Sequence, residues 1–169
     1  DNVKIQGAAN PNLETLRRSI VPTQLCQVKY NTSYASDFGV FEIGCVVDGL
    51  KEDGLCNEKK KLAITLFSKT ESMETVYGKL CNIIAVLADD IKHAPVKFVK
   101  KDATHSYQHP RNLNAVYCGD TEIGEIGVVY PTISKKIDKK ASIVYAEIDV
   151  EAFANCDKVA LVYDEPSKY

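Results

Sequence analysis

The sequence predicts an α+β fold with a mainly antiparallel sheet and helices on one side of it. Strand-like segments are joined by short turns more often than by helices, which favours hairpins over parallel βαβ units. Residues 72–91 carry apolar side chains at helical spacing. Residues 123–131 form a β-branched run interrupted by Gly124 and Gly127, the pattern of a strand that another backbone or a ligand approaches closely. Residues 142–150 alternate apolar with acidic side chains, which is typical of a half-buried strand.

The first predicted element is a helix that Ser19 caps, that contains Pro22 in its first turn and that ends near residue 31. Its apolar face consists of Val21, Leu25 and Val28. Residues 39–47 then predict a buried strand, because nearly all of them are apolar or glycine. A polar loop is expected to follow at 48–59.

The longest predicted helix, 72–91, comes after a second apolar strand at 61–67. Its apolar stripe, which we expect in the core rather than at a cofactor, consists of Met73, Val76, Tyr77, Leu80, Ile83, Ile84, Leu87 and Ile91. Asp89 and Asp90 lie near its end, and neighbours in sequence point about 100° apart on a helix. They therefore indicate a solvated last turn rather than a catalytic pair of acids.

The remaining predicted elements are short. They are a strand at 96–99, a hairpin of strands 114–118 and 121–129 around Gly119 and Asp120, a short helix after Pro131, a strand at 142–150, a helical turn at 151–154 and a last strand at 159–162.

Length and composition fit one globular domain over residues 1–169, which we expect to be excised from a longer protein. The chain is 45% hydrophobic and 26% charged. A formal net charge of -2 gives no overall positive field, so tight autonomous binding of nucleic acid is not expected. No apolar run approaches the roughly 20 residues that a membrane-crossing helix needs.

The six cysteines are spread along the chain and several lie in apolar stretches. They form no CxxC pair and no Cys/His cluster with zinc spacing, so no metal site is predicted. We expect reduced thiols, as in a cytosolic protein with a core of ordinary size.

Two groups of polar residues resemble functional sites only superficially. His93, His105 and His109 have no cysteine or paired carboxylate at the spacing of a catalytic triad or a metal site, which favours structural or solvated histidines. The lysine runs at 59–61 and 135–140 are able to touch RNA phosphates. No aromatic residues are interleaved with them, so solvated faces are the favoured interpretation.

Glu42 and Glu147 are unusual because each lies within a strand of apolar neighbours. A buried carboxylate needs a partner. We expect Arg17 or Arg18 to supply it as a structural ion pair.

Several of these segments, taken in order and with their spacing, resemble the beta subunit of phenylalanyl-tRNA synthetase over nearly the whole chain. The residues that carry the resemblance are Asn10, Pro11, Arg17, Ser19, Pro22, Phe41, Glu42, Gly44, His109, Pro110, Gly124, Gly127, Pro131, Glu147 and Asp149. The resemblance is to that subunit's catalytic-like module. It implies a degenerate class II aminoacyl-tRNA synthetase fold that no longer carries out the synthetase reaction.

The arginine content agrees with this implied loss of catalysis. Formation of an aminoacyl adenylate requires arginines on the phosphates of ATP together with magnesium. The chain contains only Arg17, Arg18 and Arg111, and the segment 31–39 before the strand with Phe41 contains neither arginine nor lysine. The resemblance therefore implies that no residue here is catalytic and that none binds a cofactor.

By the same resemblance, the segment 146–153 matches the position of the third class II motif, a glycine-rich strand that leads into a helix. Here bulky Ile148 and Val150 replace glycines, and Glu147, Asp149 and Glu151 lie where phosphate is expected. A carboxylate at ~4 Å from a phosphate costs on the order of several kcal/mol in a partly buried site. We therefore predict a plugged and negatively charged pocket that does not bind ATP.

The function implied by the resemblance is that of a noncatalytic scaffold in a cytoplasmic assembly of two alpha and two beta chains. Such a module would pack on the catalytic alpha subunit and support attachment of phenylalanine to tRNA, with ATP and magnesium used only by the complete enzyme. The fragment alone is expected to be inactive, with no membrane or DNA partner and with tRNA reached only through the complex. A freestanding RNA-binding or regulatory module and a surviving ATP-dependent enzyme are the alternatives.

Overall fold

A computed structural model describes residues 3–5 and 14–160. Within them six strands form one antiparallel sheet in the order β1-β2-β6-β5-β4-β3. The strands are β1 (Asp37–Leu50), β2 (Cys56–Ser68), β3 (Val96–Lys100), β4 (Gln108–Cys118), β5 (Thr121–Val129) and β6 (Ser142–Asp149). The helices are α1 (Val21–Asn31), α2 (Met73–Lys92), α3 (Pro131–Ile137) and α4 (Val150–Asn155). The predicted class, a mainly antiparallel sheet flanked by helices, is confirmed.

Strand β6 lies at the centre of the sheet and is buried on both faces. Its side chains alternate between a face with α1 and α3, which we call the α1 face, and a face with α2, which we call the α2 face. Ile143 and Tyr145 pack on the α1 face, and Val144 and Ala146 pack on the α2 face. The predictions of a half-buried strand and of helices on one side are therefore wrong, because helices cover both faces of this strand.

Helix α1 lies on the sheet through its apolar face, and Val21, Leu25 and Val28 are buried as predicted. The N-cap residue is Ile20, so the prediction of Ser19 as cap is one residue early. The Ser19 hydroxyl still accepts a hydrogen bond from the Val21 amide at 3.1 Å, but it also bonds to the sheet. This second contact holds Ser19 in the connection before the helix.

The hairpin of β1 and β2 extends well beyond the predicted strands, and the predicted loop 48–59 shrinks to the turn after Leu50. Polar residues enter the strands because β1 is the edge of the sheet, where side chains reach solvent. Asp48 and Lys59, for example, form an ion pair at 3.4 Å across this hairpin.

Strand β4 begins at Gln108, six residues before the predicted start, and its pairing with β5 is irregular between Gln108 and Leu113. Pro110 falls in this irregular stretch, where a residue without an amide proton is tolerated. The hairpin turn at Gly119 is confirmed, and its φ of 60° suits glycine. Of the predicted last strand, residues 159–160 are not in a strand, and 161–162 lie outside the described residues.

Helix α2 begins after Ser72, whose side chain accepts from the Thr75 amide, and ends at His93 in the left-handed conformation. The residues that it buries against the sheet are Val76, Leu80, Ile84 and Ala88. Ile83 and Ile91 are exposed, so the predicted core stripe is wider than the face that the sheet covers. No helix among the described residues has the length and hydropathy needed to cross a membrane.

Candidate functional site

A cavity of about 360 Å³ opens on the α1 face of the sheet beside the end of β6. We call it the charged cavity. Its lining residues include four cations, five carboxylates, His105 and Gly124. The charged ones are Arg18, Lys59, Lys61, Lys101, Asp48, Glu122, Glu125, Glu147 and Asp149.

Each cation of the charged cavity has a carboxylate partner in the cavity itself. Arg18 and Lys59 share Asp48, at 2.8 Å and 3.4 Å. Lys61 contacts Glu147 at 2.8 Å, and Lys101 contacts Glu122 at 3.1 Å and Glu125 at 3.5 Å. The cations of the cavity are therefore paired internally, and the lining keeps an excess of one carboxylate over its cations. The sequence predicted a negatively charged pocket, and the structure adds that most of its charges are paired.

These pairs shift the pKa of two lining groups. Hydrogen bonds from Arg18 and then Lys59 hold the pKa of the Asp48 carboxyl below its ordinary value. Burial alone lowers the pKa of Lys101, but the hydrogen bond to Glu122 and the charge of Glu125 outweigh it, so the pKa is raised. Both groups are held in their charged forms by their partners.

Glu147 ties the start of α1 to the centre of the sheet. Its Oε1 accepts from the Ser19 hydroxyl at 3.0 Å and from the Ile20 amide at 2.7 Å, and its Oε2 accepts from Lys61. The expected arginine partner is wrong for this carboxylate, because the neighbouring strand β2 places Lys61 beside it. All of its oxygens are engaged in structure.

Arg17, Glu42 and Gly44 form a second structural unit. Arg17 Nη2 contacts Glu42 Oε1 at 2.6 Å, which agrees with the expected arginine partner. A Cβ at position 44 would lie 2.6 Å from Arg17 Nη2 and 2.8 Å from Glu42 Oε1. Gly44 therefore leaves the space that the ion pair occupies.

The two glycines of β5 admit neighbouring protein atoms rather than a ligand. A Cβ at Gly124 would lie 2.2 Å from the carbonyl oxygen of Glu147 on β6. At Gly127 it would lie 3.1 Å from the Tyr145 hydroxyl and 3.0 Å from Leu113 Cδ1. The sequence predicted a close approach at both positions, and the structure shows which atoms approach.

The residues predicted to plug the nucleotide pocket do not fill the charged cavity. Ile148 is buried on the α2 face, and Val150 begins helix α4. Asp149 caps α4 by accepting from the amides of Glu151 and Ala152, both at 3.0 Å. Alternation along β6 turns Ile148 away from the charged cavity, so this side chain does not close it.

The three histidines are not brought together. His109 Nδ1 accepts from the Arg111 amide at 3.1 Å, and His93 ends α2. His105 stacks on Tyr107 with ring centroids 5.3 Å apart and lines the charged cavity. Within the described ranges no three or more His, Cys, Asp or Glu residues are arranged to hold a metal ion.

The other prolines among the residues that carry the family resemblance lie at the starts of helices and in an irregular part of β4. Pro22 lies in the first turn of α1, Pro110 in β4, and Pro131 begins α3. Asn10 and Pro11 lie outside the described residues.

A second surface, which the sequence did not reveal, lies on the α2 face between edge strand β1 and helix α2. It is a groove of about 720 Å³ with mainly apolar walls, and we call it the apolar groove. Phe41 is 75% exposed in it and Ile43 is 60% exposed, while Ile83 and Val86 of α2 are also exposed. The signal in the sequence was the width of the α2 stripe, which exceeds what one sheet covers.

Known proteins resemble this chain over most of its length. The model of the "Phenylalanyl tRNA synthetase beta chain CLM domain" matches residues 1–150. A phenylalanine–tRNA ligase beta subunit of Syntrophus aciditrophicus is 24% identical over 99% of this chain and 22% of that protein. A cytoplasmic phenylalanine–tRNA ligase beta subunit of Arabidopsis thaliana is 27% identical over 83% of this chain and 25% of that protein. The chain thus spans about a quarter or less of the length of these relatives.

Among solved structures, PylSc of Desulfitobacterium hafniense, a pyrrolysyl tRNA synthetase, has a TM-score of 0.60 at 16% identity. The match covers 83% of this chain and 49% of that one, and it shows a shared class II synthetase fold. From the family match over residues 1–150, the chain belongs to the CLM domain family of the phenylalanyl-tRNA synthetase beta chain.

Proposed function

We propose that the chain is a noncatalytic scaffold module of phenylalanine–tRNA ligase that packs on the enzyme's alpha subunit through the apolar groove. In this proposal the complete enzyme is a cytoplasmic assembly of two alpha and two beta chains. ATP, magnesium and tRNA are handled by that assembly, and this module supplies position rather than chemistry. Family membership supports the assignment to phenylalanine–tRNA ligase. The apolar groove and the charged cavity support the noncatalytic docking role.

The observation that carries the proposal is the exposure of the apolar groove. Phe41 and Ile43 point from the edge strand into it, opposite Ile83 and Val86 of α2. Contiguous exposed apolar surface of this kind marks a protein-binding site. Burying it against another chain would release water from these side chains, which is the main favourable contribution to association.

The backbone of β1 adds a second means of docking. The Val47 amide donates to the Arg17 carbonyl at 2.9 Å, and the Cys45 carbonyl accepts from Arg17 Nε at 3.2 Å. Both groups point away from β2, so by strand alternation the backbone groups of Phe41 and Ile43 point to the same edge. Arg17 occupies this edge at Cys45 and Val47. Within the described residues β1 otherwise pairs with β2 alone, which leaves the stretch around Phe41 and Ile43 open to a further strand.

The charged cavity supports the noncatalytic part of the proposal. A nucleotide would need cations for its phosphates. The four cations that line the cavity each have a carboxylate within 3.5 Å. To bind phosphate, the site would have to break these pairs and bring carboxylates close to the phosphate oxygens, which is unfavourable.

Co-purification with the alpha subunit tests the proposal. The variant Phe41→Ser removes the most exposed large side chain of the groove and should abolish or strongly reduce recovery of the alpha subunit. Leu55→Ser is the matched control, because Leu55 is similarly exposed but lies in the turn between β1 and β2. Equal recovery with Phe41→Ser and with the unchanged chain would refute the groove as the docking site.

The alternative of a freestanding RNA-binding or regulatory module makes a different prediction. Such a module would not form a stable complex with the alpha subunit, whatever residue stands at position 41. Recovery of the alpha subunit that depends on the groove would therefore exclude it.

A further inference from the structure

The C-terminal end of α1 and the loop before β6 meet at one end of the molecule. Lys69 joins them, because its Nζ donates to the Thr32 carbonyl at 2.8 Å and lies 3.4 Å from Asp138 Oδ2. Its backbone amide also donates to the Ser36 carbonyl at 2.8 Å. Segments that are more than a hundred residues apart in sequence are thus fixed side by side.

Two tyrosines stand out from this junction. Tyr30 is 78% exposed and Tyr34 is 86% exposed, and they lie two residues before and two residues after Thr32. The turn between them is ordered by hydrogen bonds from the Thr32 hydroxyl to the Lys29 carbonyl and from the Tyr34 amide to the Asn31 carbonyl. Both rings are therefore presented to solvent on a fixed backbone.

Lysines lie on both of the segments that Lys69 joins. Lys29 precedes Tyr30, and Lys139 and Lys140 follow Asp138. Among the described residues none of these three lysines has a carboxylate within 4.0 Å, in contrast to every lysine of the charged cavity. Asp138 itself is paired with Lys69, so the junction as a whole is positive.

We propose that this surface, the tyrosine–lysine patch of Lys29, Tyr30, Tyr34, Lys69, Lys139 and Lys140, binds an unpaired segment of RNA. Bases would stack on the two tyrosine rings, and phosphates would lie against the lysines that have no carboxylate partner. Exposed aromatic faces interleaved with cations are the means by which proteins bind single strands without reading sequence. An acidic peptide would use the lysines but would leave the ring faces without a partner.

The geometry of the patch does not depend on the proposed function. Only the choice of RNA, among single-stranded nucleic acids, rests on the proposed function. The sequence alone predicts a solvated face for the lysines at 135–140, because no aromatic residue lies among them in the chain. The fold supplies the missing tyrosines from α1. The patch is also separate from the apolar groove, so the two surfaces are testable one at a time.

Fluorescence anisotropy with a labelled, unstructured RNA of about 12 nucleotides tests the proposal, a length within the usual site sizes of single-strand binders. The double variant Tyr30→Ala/Tyr34→Ala should weaken binding at low salt by about tenfold or more, because base–aromatic stacking is lost. Tyr30→Phe/Tyr34→Phe retains the rings and should bind like the unchanged chain. No binding by the unchanged chain, or full binding by the alanine variant, would overturn the proposal.

A salt titration tests the lysines separately. Each phosphate contact on a single strand contributes about 0.7 to the slope of log K against log salt, so Lys139→Ala/Lys140→Ala should lower the slope by about 1.4. Lys97→Ala/Lys100→Ala on strand β3 is the control with equal change of charge and should leave the slope unchanged. Equal slopes for both double variants would contradict the phosphate contacts.

Two further arms separate this proposal from the proposed function. Phe41→Ser, which should lose the alpha subunit, should bind the RNA like the unchanged chain. A DNA strand of the same sequence shows whether the sugar matters, and clearly tighter binding of DNA would refute the choice of RNA.

Discussion

The charged cavity and the apolar groove lie on opposite faces of one sheet and differ in how their side chains are satisfied. In the charged cavity each cation is paired with a carboxylate, and Glu147 makes three contacts within the protein. In the apolar groove Phe41 and Ile43 are exposed, so most of their apolar surface is not buried against the protein. The first surface thus satisfies its own polar groups, whereas the second leaves apolar side chains exposed, which is why we propose it as the docking site for the alpha subunit.

This contrast separates stability from function in the molecule. In the cavity, Glu147 holds the start of α1 on the sheet, and Gly124 allows β5 to lie close to β6. Substitutions at these residues should therefore destabilise the chain. Side chains of the groove contribute little to the fold and should matter only when a partner is present. Substitutions in the charged cavity are therefore expected to lower stability, whereas substitutions in the apolar groove are expected to weaken binding of a partner without lowering stability.

The largest effect is expected at Gly124, which lines the charged cavity. Gly124→Ala would place a Cβ 2.2 Å from the Glu147 carbonyl oxygen, so β5 and β6 must separate. Overpacking of this severity should lower the free energy of unfolding by about 3 kcal/mol or more. Gly78→Ala is the control on α2, where a Cβ meets nothing within 4 Å, and it should stabilise by about 1 kcal/mol. Urea denaturation measures both, and equal stability of the two variants would contradict the tight approach of the strands.

The next effect is expected at Glu147, whose side chain is 5% exposed. Glu147→Ala leaves Lys61 and the Ile20 amide without their acceptor and should cost about 2 to 3 kcal/mol of unfolding free energy. Glu42→Ala removes a more exposed ion pair and should cost about 1 kcal/mol or less. If denaturation ranked Glu42 above Glu147, the assignment of Glu147 as the anchor of α1 would be wrong.

A smaller effect, with a defined pH dependence, is expected at Asp48. Its pKa in the folded chain is lowered from 3.8 by Arg18 and Lys59, so folding favours the charged form. The stabilisation is present above the unfolded value and is lost as pH falls through the folded value. Asp48→Asn should destabilise by about 0.5 kcal/mol at pH 7, because the pair is partly exposed, and by nothing measurable once the carboxyl is protonated. A difference that persisted after protonation would show that charge is not its cause.

The smallest effect on stability is expected at Phe41. Because the ring is largely exposed, Phe41→Ser should change the free energy of unfolding by less than about 0.5 kcal/mol. The same variant should lose the alpha subunit, as proposed above. Thermal unfolding followed by circular dichroism measures the first result, and a large loss of stability would mean that the ring serves the fold instead of a partner.

The class of fold was predictable because its signals are local. Helix α2 has a cap at Ser72 and a strong apolar period, and the hairpin after Cys118 turns at a glycine. Strands β1 and β2 were predicted too short. Their ends are polar, and in the sequence a polar loop looks the same as an edge strand whose side chains reach solvent. Whether one or two helical layers cover β6 depends on distant α1, so the alternation at 142–149 was not sufficient to decide it.

The candidate site was predictable only in part, for the same reason. That Glu42 and Glu147 need partners follows from their apolar surroundings in the sequence. That Lys61 is the partner of Glu147 follows from the register of β2 against β6, which the sequence does not show. The face on which Ile148 lies depends on the alternation along β6, and it places this side chain on the α2 face, away from the charged cavity. The apolar groove and the tyrosine–lysine patch each combine two distant segments, and neither leaves a contiguous motif in the chain.

Calorimetric titration of the chain with ATP and magnesium, with and without phenylalanine, tests most directly whether this domain acts by position instead of chemistry. The pairing of every lining cation predicts no binding heat above that of dilution. Saturable heat in the unchanged chain that disappears in Lys61→Ala would contradict the account, because it would show that a nucleotide enters the charged cavity and displaces its ion pairs.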